Sequence, residues 1–379
     1  MRTHGFAHMS LWRSWRRPRR AALLVLLWIG LLLGTPPVRA DSGPTVPDWV
    51  CLTCHERVGI DMVLPSGEIL PITVDSAVLH FSAHGQTTEQ EIHCQDCHTD
   101  IVGYPHGTLP VRTYRELQIY YSQTCANCHE EEALKRVDSV HARLLASGKL
   151  EAATCVDCHG AHNVRWINRE KHPEVPRIRA VEMCKTCHST IYEAYLQSVH
   201  GRDLLEGNED VPGCPDCHPA HTIEDPRTLA FRVKSPNLCG KCHGDKALMA
   251  KYGISTDVFD TYVGDFHGTT VLVFQKTAPG QGTNKAVCID CHGAHKIMRP
   301  EEVGTEEYKA NLLQTCRQCH PDASPNFADS WLGHYRPDWK RYPLVTAVLW
   351  FYRIVIPLTL GFFLLYIGLD AQKRLRERK

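Results

Sequence analysis

The cysteines and histidines of this chain share one spacing, which is suited to holding a metalloporphyrin. All 18 cysteines fall into C-x-x-C pairs, and a histidine follows every pair at once. The nine motifs are Cys51, Cys54 and His55; Cys94, Cys97 and His98; Cys125, Cys128 and His129; Cys155, Cys158 and His159; Cys184, Cys187 and His188; Cys214, Cys217 and His218; Cys239, Cys242 and His243; Cys288, Cys291 and His292; and Cys316, Cys319 and His320.

In a C-x-x-C-H motif the two cysteines form thioether bonds to a haem and the histidine is the proximal ligand of its iron. Disulfides and zinc ribbons also use the C-x-x-C spacing, but neither requires a histidine after every pair. The sequence therefore predicts nine covalently attached haem c groups.

Histidines outside the motifs recur at positions suited to the second, distal iron ligand. Four stand alone in Ser-x-His or Asp-x-His contexts, four follow a motif, and one closes the series: His84, His141, His200 and His267; His106, His162, His221 and His295; and His334. Nine such histidines match nine irons. The remaining His80, His93 and His172 are expected to have packing or surface roles.

Chain length limits which haem a trailing histidine can serve. His159 and His162 are three residues apart, a reach of at most about 11 Å, which cannot carry the backbone around a porphyrin. We therefore expect His162, His221 and His295 to ligate a different haem from the motif that each follows. Such ligation would tie neighbouring haems together.

The motifs form a repeat, which predicts the fold. From Asp41 to Trp339 the pattern recurs at intervals of 55–77 residues, and each repeat has a lone histidine, a motif with a trailing histidine and a plain motif. We expect a haem domain at 41–336 with repeats near 80–135, 136–192, 193–250 and 251–325. It should be mainly α with extensive irregular loops, and the haems should form its core.

Local patterns predict a few secondary-structure elements within this domain. Helical spacing of apolar residues favours a helix at 191–197, and similar short helices are expected after Cys128 and Cys319. A small hairpin is predicted within Val63–Val74 and a short strand at Thr270–Gln275.

Two apolar segments predict export and anchoring. Residues 1–40 combine a basic stretch, an apolar run of 14 residues and Val38-Arg39-Ala40, which is typical of a secretory signal; an uncleaved anchor stays open. Residues 343–369 are long and apolar enough for a transmembrane helix. The basic tail at 370–379 then predicts a cytoplasmic C-terminus and a haem domain on the periplasmic side of the cytoplasmic membrane. Arg353 within the span either reaches the outer interface or faces a partner subunit.

Charge excludes one class of partner. The chain has 42 basic and 42 acidic side chains, but seven of the basic ones lie in residues 1–40. The remainder is acidic, which argues against nucleic acid.

The haem domain resembles the multihaem cytochromes c of bacterial respiration that carry doubled C-x-x-C-H motifs. The resemblance covers residues 48–336 and rests on Ser-Val-His200-Gly, on Cys-x-Asp-Cys-His-x-Ala-His at 155–162, 214–221 and 288–295, and on Cys94-Gln-Asp-Cys-His-Thr-Asp with Tyr104-Pro105-His106. The C-terminal segment is similar to that of membrane-anchored cytochrome c subunits that work beside a cytochrome b. The resemblance implies electron transfer between a quinol-linked membrane partner and soluble acceptors.

The sequence leaves the function open between two classes. In the first, every iron has two histidine ligands and the protein only transfers electrons, so no catalytic residue is expected. In the second, one open haem reduces nitrite, hydroxylamine or a sulfur oxyanion; no C-x-x-C-K motif supports it, although His106 and His334 have the least regular contexts. A conduit to iron minerals is a third option.

Overall fold

The computed structural model describes residues 46–86, 92–107, 109–167, 169, 172–278, 281, 284–299, 305–327, 334, 336–340 and 342–377. The predicted signal segment at 1–40 lies outside these residues. Within them the chain is mostly helical, as expected, with two short strands.

Most helices are short, and each C-x-x-C motif lies in or beside one. The helices are α1 Asp48–His55, α2 Ser76–His80, α3 Ala83–Gln86, α4 Cys94–Cys97, α5 Tyr114–Ser122, α6 Glu130–Arg136, α7 Val140–Ala146, α8 Cys155–His159, α9 Ile178–Glu182, α10 Ser189–Leu196, α11 Val199–Leu205, α12 Cys214–Cys217, α13 Leu229–His243, α14 Lys246–Ala250, α15 Asp257–Gly264, α16 Phe266–Thr277, α17 Cys288–His292, α18 Thr305–Arg317 and α19 Pro343–Glu377; a 3₁₀ helix spans Thr124–Asn127.

The predicted hairpin is confirmed and lies beside the first motif. Strand β1, Asp61–Val63, pairs antiparallel with β2, Ile69–Pro71, so that Val63 lies opposite Ile69. The residues after β2 hold the first motif: the Ile72 carbonyl lies 2.8 Å from His55 Nδ1 and the Val74 N–H donates to the His55 carbonyl.

Of the other local predictions, two agree with the structure and one is wrong. Helices occur at Ser189–Leu196 and, after Cys128, at Glu130–Arg136. Thr270–Gln275 is not a strand but part of α16, because Asp265 caps that helix by accepting from the Gly268 N–H, and Val271 is buried on its inner face. After the Cys319 motif the described residues run through turns to a helical Phe327, and residues 328–333 lie outside the described residues, so the helix predicted there stays a prediction; α18 ends at Arg317, within the motif.

Among the described residues, buried apolar side chains form two small clusters. Val181, Tyr195, Leu204 and Val211 form one, and Val233, Val271 and Val287 form the other. Each cluster packs behind a motif helix, since Cys214 borders the first and Ile289 the second. The apolar core therefore supports the motif helices and does not fill the interior.

The C-terminal helix α19 has the length and composition to cross a membrane. Its 35 residues include a window of mean hydropathy 2.0, none of which is buried against the rest of the chain. It extends beyond the predicted 343–369 span and continues through the basic segment to Glu377. The chain thus has one candidate membrane span among its described residues.

Candidate haem-binding centres

Every motif histidine lies opposite one of the nine histidines singled out as second ligands. The imidazole centres in each pair are 5.9 to 6.3 Å apart. The pairs are His55 with His106, His98 with His162, His129 with His84, His159 with His221, His188 with His141, His218 with His295, His243 with His200, His292 with His334 and His320 with His267.

This separation fits an iron atom between two imidazoles. A metal–imidazole bond is about 2 Å long and the ring centre lies about 1 Å beyond the nitrogen, so two axial imidazoles have centres about 6 Å apart. Direct stacking brings rings closer, as in the 3.9 Å contact of Trp166 with His172. The spacing of the nine pairs is thus the spacing that a shared metal requires.

The trailing histidines face motifs other than the ones they follow. His162 lies opposite His98, His221 opposite His159, and His295 opposite His218. Each trailing histidine therefore lies opposite the previous motif that also has a trailing histidine. This agrees with the prediction that the three-residue connection is too short for it to serve the motif it follows.

The motifs with a trailing histidine share an aspartate that fixes the motif turn. Asp96, Asp157, Asp216 and Asp290 each occupy the residue before the second cysteine and accept a hydrogen bond, 2.6 to 2.7 Å long, from a backbone N–H three residues earlier. This contact closes the first turn of the motif helix, as a capping box does. It fixes the direction of both cysteines and of the histidine that follows.

In three of these motifs an arginine from a preceding segment binds the same aspartate. Arg115 bridges Asp157 at 2.8 Å, Arg232 bridges Asp290 at 2.6 Å, and Arg177 binds Asp216. Arg115 and Arg232 also donate to the backbone carbonyls that lead into the motif, those of Ala152 and Lys285. In the Cys94 motif, Asp48 instead accepts from the Cys94 N–H at 2.9 Å.

The lone histidines are held by helix caps. In the Ser198-Val-His200-Gly segment, Ser198 is the N-cap of α11: its hydroxyl accepts from the Gly201 N–H at 3.0 Å and donates to the Tyr195 carbonyl at 2.6 Å. Ser82, Ser139 and Asp265 cap the other three lone-histidine helices in the same way. Because the cap sets the first turn, it also sets the direction of the histidine two residues on.

Backbone hydrogen bonds join three of the four lone-histidine helices to a trailing-histidine segment of the next repeat. The N–H groups of Ala83, Val140 and Val199 donate to the carbonyls of Val164, Ile223 and Ile297, at 2.7 to 2.8 Å. Those acceptors lie two residues after His162, His221 and His295. The contact therefore places the histidines predicted as second ligands of two neighbouring motifs side by side.

The glycine after a lone histidine permits close helix packing. A Cβ on Gly201 would lie 2.0 Å from the Tyr195 carbonyl oxygen, and one on Gly268 would lie equally close to that of Tyr262. Side chains cannot approach a backbone oxygen so closely, so the tight connection between α10 and α11 needs glycine here.

The two irregular second ligands lie at the ends of the series. His106 is exposed and follows Tyr104-Pro105, whose tyrosine hydroxyl lies beside the Cys51 sulfur. His334 has a φ of 70°, the only positive φ among the described residues other than glycine. A left-handed backbone is unfavourable for a side chain of this size and persists where the surroundings impose it.

Consecutive motifs are neighbours in space. The thiols of Cys51 and Cys94, Cys125 and Cys155, Cys184 and Cys214, and Cys239 and Cys288 lie close enough for one to shift the pKa of the other. Those of Cys97 and Cys128, Cys158 and Cys184, Cys217 and Cys239, and Cys291 and Cys316 are close enough to interact electrostatically. Together these contacts link all nine motifs in chain order.

A cavity of about 3660 Å³ follows this line of motifs. Its lining includes both cysteines and the histidine of the seven motifs from Cys125 to His320. The first motif does not line it. The cysteines, histidines and cavity together fit covalent haem along the length of the domain.

Burial favours the neutral imidazole, which is the form that can bind a metal. The pKa of His98 falls to about 4, chiefly because of burial and then because of the opposing His162. The pKa of His200 also falls to about 4, through burial and then His243.

The three histidines assigned to other roles have other partners. His93 Nδ1 lies 3.3 Å from Asp48, His172 stacks on Trp166 and pairs with Glu174, and His80 packs edge-on against Phe81. Nor do the described ranges contain a cluster of three or more potential ligands of the zinc-ribbon kind.

The arginines that bind the motif aspartates were missed by sequence reasoning. Arg177 and Arg232 both stand seven residues before the next motif cysteine, but Arg115 stands ten before it. That irregular spacing hides the pattern, whereas the repeated Asp before the second cysteine was a signal that could have revealed it.

Two family models match separate parts of the chain. The model of cytochrome c7 and related cytochrome c matches residues 79–160, and the doubled CXXCH motif model matches residues 208–248. Both matches support a multihaem cytochrome c with doubled C-x-x-C-H motifs.

Curated relatives agree with this class. The chain is 23% identical over 188 residues to the cytochrome c-type protein NapC of Escherichia coli K12, and to that of Escherichia coli O157:H7. The match covers 39% of this chain and 85% of each relative. No solved structure matches the chain significantly.

Proposed function

We propose that this protein is a membrane-anchored electron-transfer cytochrome that holds nine haem c groups, each ligated by two histidines. Haem iron supplies reversible one-electron redox chemistry when bound. The proposed route of electrons runs between a quinol-linked membrane partner, such as a cytochrome b, and a soluble acceptor.

One observation carries the proposal: nine motif histidines lie opposite nine other histidines, with ring centres about 6 Å apart. The motif histidines are the proposed proximal ligands and their partners the distal ones. A second imidazole at each iron favours transfer over substrate reduction, because a reductase needs an open position. Two imidazoles also keep reduction potentials lower than a histidine and a methionine would.

The chain's own residues set the rigidity that such a protein needs. The buried caps Ser139 and Ser198 direct the lone histidines, and the Asp–Arg contacts hold the motif turns. Fixed ligands keep the surroundings of each metal unchanged when its charge changes. The sulfur contacts support an array in which the centres follow chain order.

The C-terminal helix supports the proposed anchoring. A hydrocarbon core of about 30 Å holds about 20 helical residues, so a span ending at Asp370 begins near Trp350. Arg353 lies one turn inside that boundary, with its guanidinium 5.6 Å from the Trp350 ring centre. From this position the Arg353 side chain can extend to the outer interface of the membrane, so this interpretation is favoured over contact with a partner subunit. The basic tail favours a cytoplasmic C-terminus and an outward-facing haem domain.

The test is an EPR spectrum of the oxidised, detergent-purified protein together with its intact mass. We expect a mass increase of nine haems and only low-spin ferric signals. A stoichiometric high-spin signal that shifts on adding nitrite or hydroxylamine would refute the ligand assignment and favour a reductase.

A further inference from the structure

The end of the array that is remote from the membrane helix differs in charge and surface from the rest of the chain. We propose that the N-terminal unit, defined as residues 46–75, 92–107 and 109–112, is the docking surface for a soluble redox protein with a basic rim. This inference rests on the proposed electron-transfer function and adds the site and chemistry of the soluble partner.

The first argument is position. The sulfur contacts run in order from Cys51 to Cys316, and the Cys316 motif is followed by the membrane helix. The Cys51 motif is therefore at the opposite end. None of Cys51, Cys54 and His55 lines the long internal cavity, whereas the seven motifs from Cys125 to His320 all do. A partner in solution can approach this centre more closely than the enclosed ones.

The second argument is an apolar surface next to this centre. Val63 and Ile69, which face each other across the hairpin, are 69% and 68% exposed. Val102, on the loop that carries His106, is 86% exposed. The hairpin adjoins the first motif directly through the Ile72 carbonyl and His55. Apolar contact area beside an exposed centre is typical of a short-lived redox interface.

The third argument selects the partner. The N-terminal unit contains seven acidic and two basic side chains, whereas residues 113–342 contain 30 acidic and 27 basic ones. Elsewhere arginines and lysines neutralise many carboxylates, as Arg336 does for Asp257 and Asp260. In the described part of the N-terminal unit, neither Arg57 nor Arg112 forms an ion pair. The unit thus presents a net negative field near the Cys51 centre.

This charge decides between possible occupants. A second copy of the same surface would be repelled, and so would the anionic surface of a membrane. A soluble protein with lysines around its cofactor edge would be attracted and steered, and the attraction would weaken with salt.

The test measures binding with both proteins oxidised, so that no electron transfer is needed. The probe is mitochondrial cytochrome c, a small basic haem protein, titrated by calorimetry into the full-length protein at low ionic strength. The variant Glu56→Gln/Asp61→Asn/Glu68→Gln removes three charges from the N-terminal unit with isosteric side chains. The control Glu206→Gln/Glu306→Gln/Glu307→Gln removes three exposed charges elsewhere.

We expect the N-terminal variant to bind about tenfold more weakly and the control to stay within about twofold of the parent. Val63→Ser/Ile69→Ser should also weaken binding but leave its salt dependence unchanged. Equal effects of the two charge variants would overturn the proposal. So would undiminished binding of lysine-acetylated cytochrome c, or self-association of the chain at low salt. The EPR spectrum is independent of all these results, so failure of docking and failure of the proposed function can be told apart.

Discussion

The caps of the lone-histidine helices should control how firmly the second ligand is held, and Ser198→Ala tests this most directly. Ser198 is 1% exposed, and its hydroxyl makes two hydrogen bonds, to the Gly201 N–H and the Tyr195 carbonyl. Loss of an N-cap costs about 0.5–2 kcal/mol, and a buried N–H left without a partner costs about 1–3 kcal/mol. The two figures both count the loss of the Gly201 hydrogen bond, so they cannot be added in full. We therefore expect Ser198→Ala to lower the free energy of unfolding by about 2–3 kcal/mol in all.

That free energy should appear as release of His200. Local opening made easier by about 2–3 kcal/mol raises the population of the detached ligand at least about tenfold. The assay is carbon monoxide binding to the reduced protein, with guanidinium unfolding measured in parallel. Thr228→Ala is the matched control, because Thr228 caps α13 in the same way but is exposed and stands 15 residues before His243, at the far end of that helix.

The control should lose at most about 1 kcal/mol and bind no additional carbon monoxide. If Ser198→Ala behaves like Thr228→Ala in both measurements, the caps do not direct the ligands and the reasoning is wrong.

Three further outcomes follow from the same geometry. Gly201→Ala should destabilise by about 1–3 kcal/mol in guanidinium unfolding, since its Cβ meets the Tyr195 carbonyl, whereas Ala142→Gly at the equivalent position should cost at most about 1 kcal/mol. Arg232→Gln should lower the unfolding midpoint more than Arg227→Gln, because the Arg232–Asp290 pair is the less exposed one; equal shifts would contradict this. Burial alone would raise the pKa of Asp48, but hydrogen bonds from the Cys94 N–H and the contact with His93 lower it below its ordinary value. The ionised carboxylate therefore stabilises the folded state above about pH 4, and this contribution is lost in stronger acid. Asp48→Asn should therefore flatten the fall of the unfolding midpoint between about pH 5 and pH 3.

The motif positions could be predicted from sequence because covalent attachment fixes residue type and spacing locally. The reach of a trailing histidine was equally local, and the chain length between His159 and His162 was enough to exclude the haem of the motif that His162 follows. The hairpin at Asp61–Pro71 was predicted because turn residues separate two short apolar runs.

What could not be predicted depends on packing between distant segments. The Ala83 N–H bonds the Val164 carbonyl, and no local pattern connects the two. The segment Thr270–Gln275 has β-branched residues that suggest a strand, but the Asp265 cap and the burial of Val271 select a helix. Tertiary context overrode propensity there.

The trailing histidines have a consequence for how this architecture can change length. The motif histidine of each motif that has a trailing histidine lies opposite an imidazole from the next repeat. The last such motif histidine, His292, lies opposite His334 instead. Inserting or deleting a whole repeat would leave every motif with a partner, provided that the two end pieces stay. The domain is therefore extensible in steps of two centres, like a solenoid with capping units. Its span can be altered by gene duplication without redesigning a single binding site.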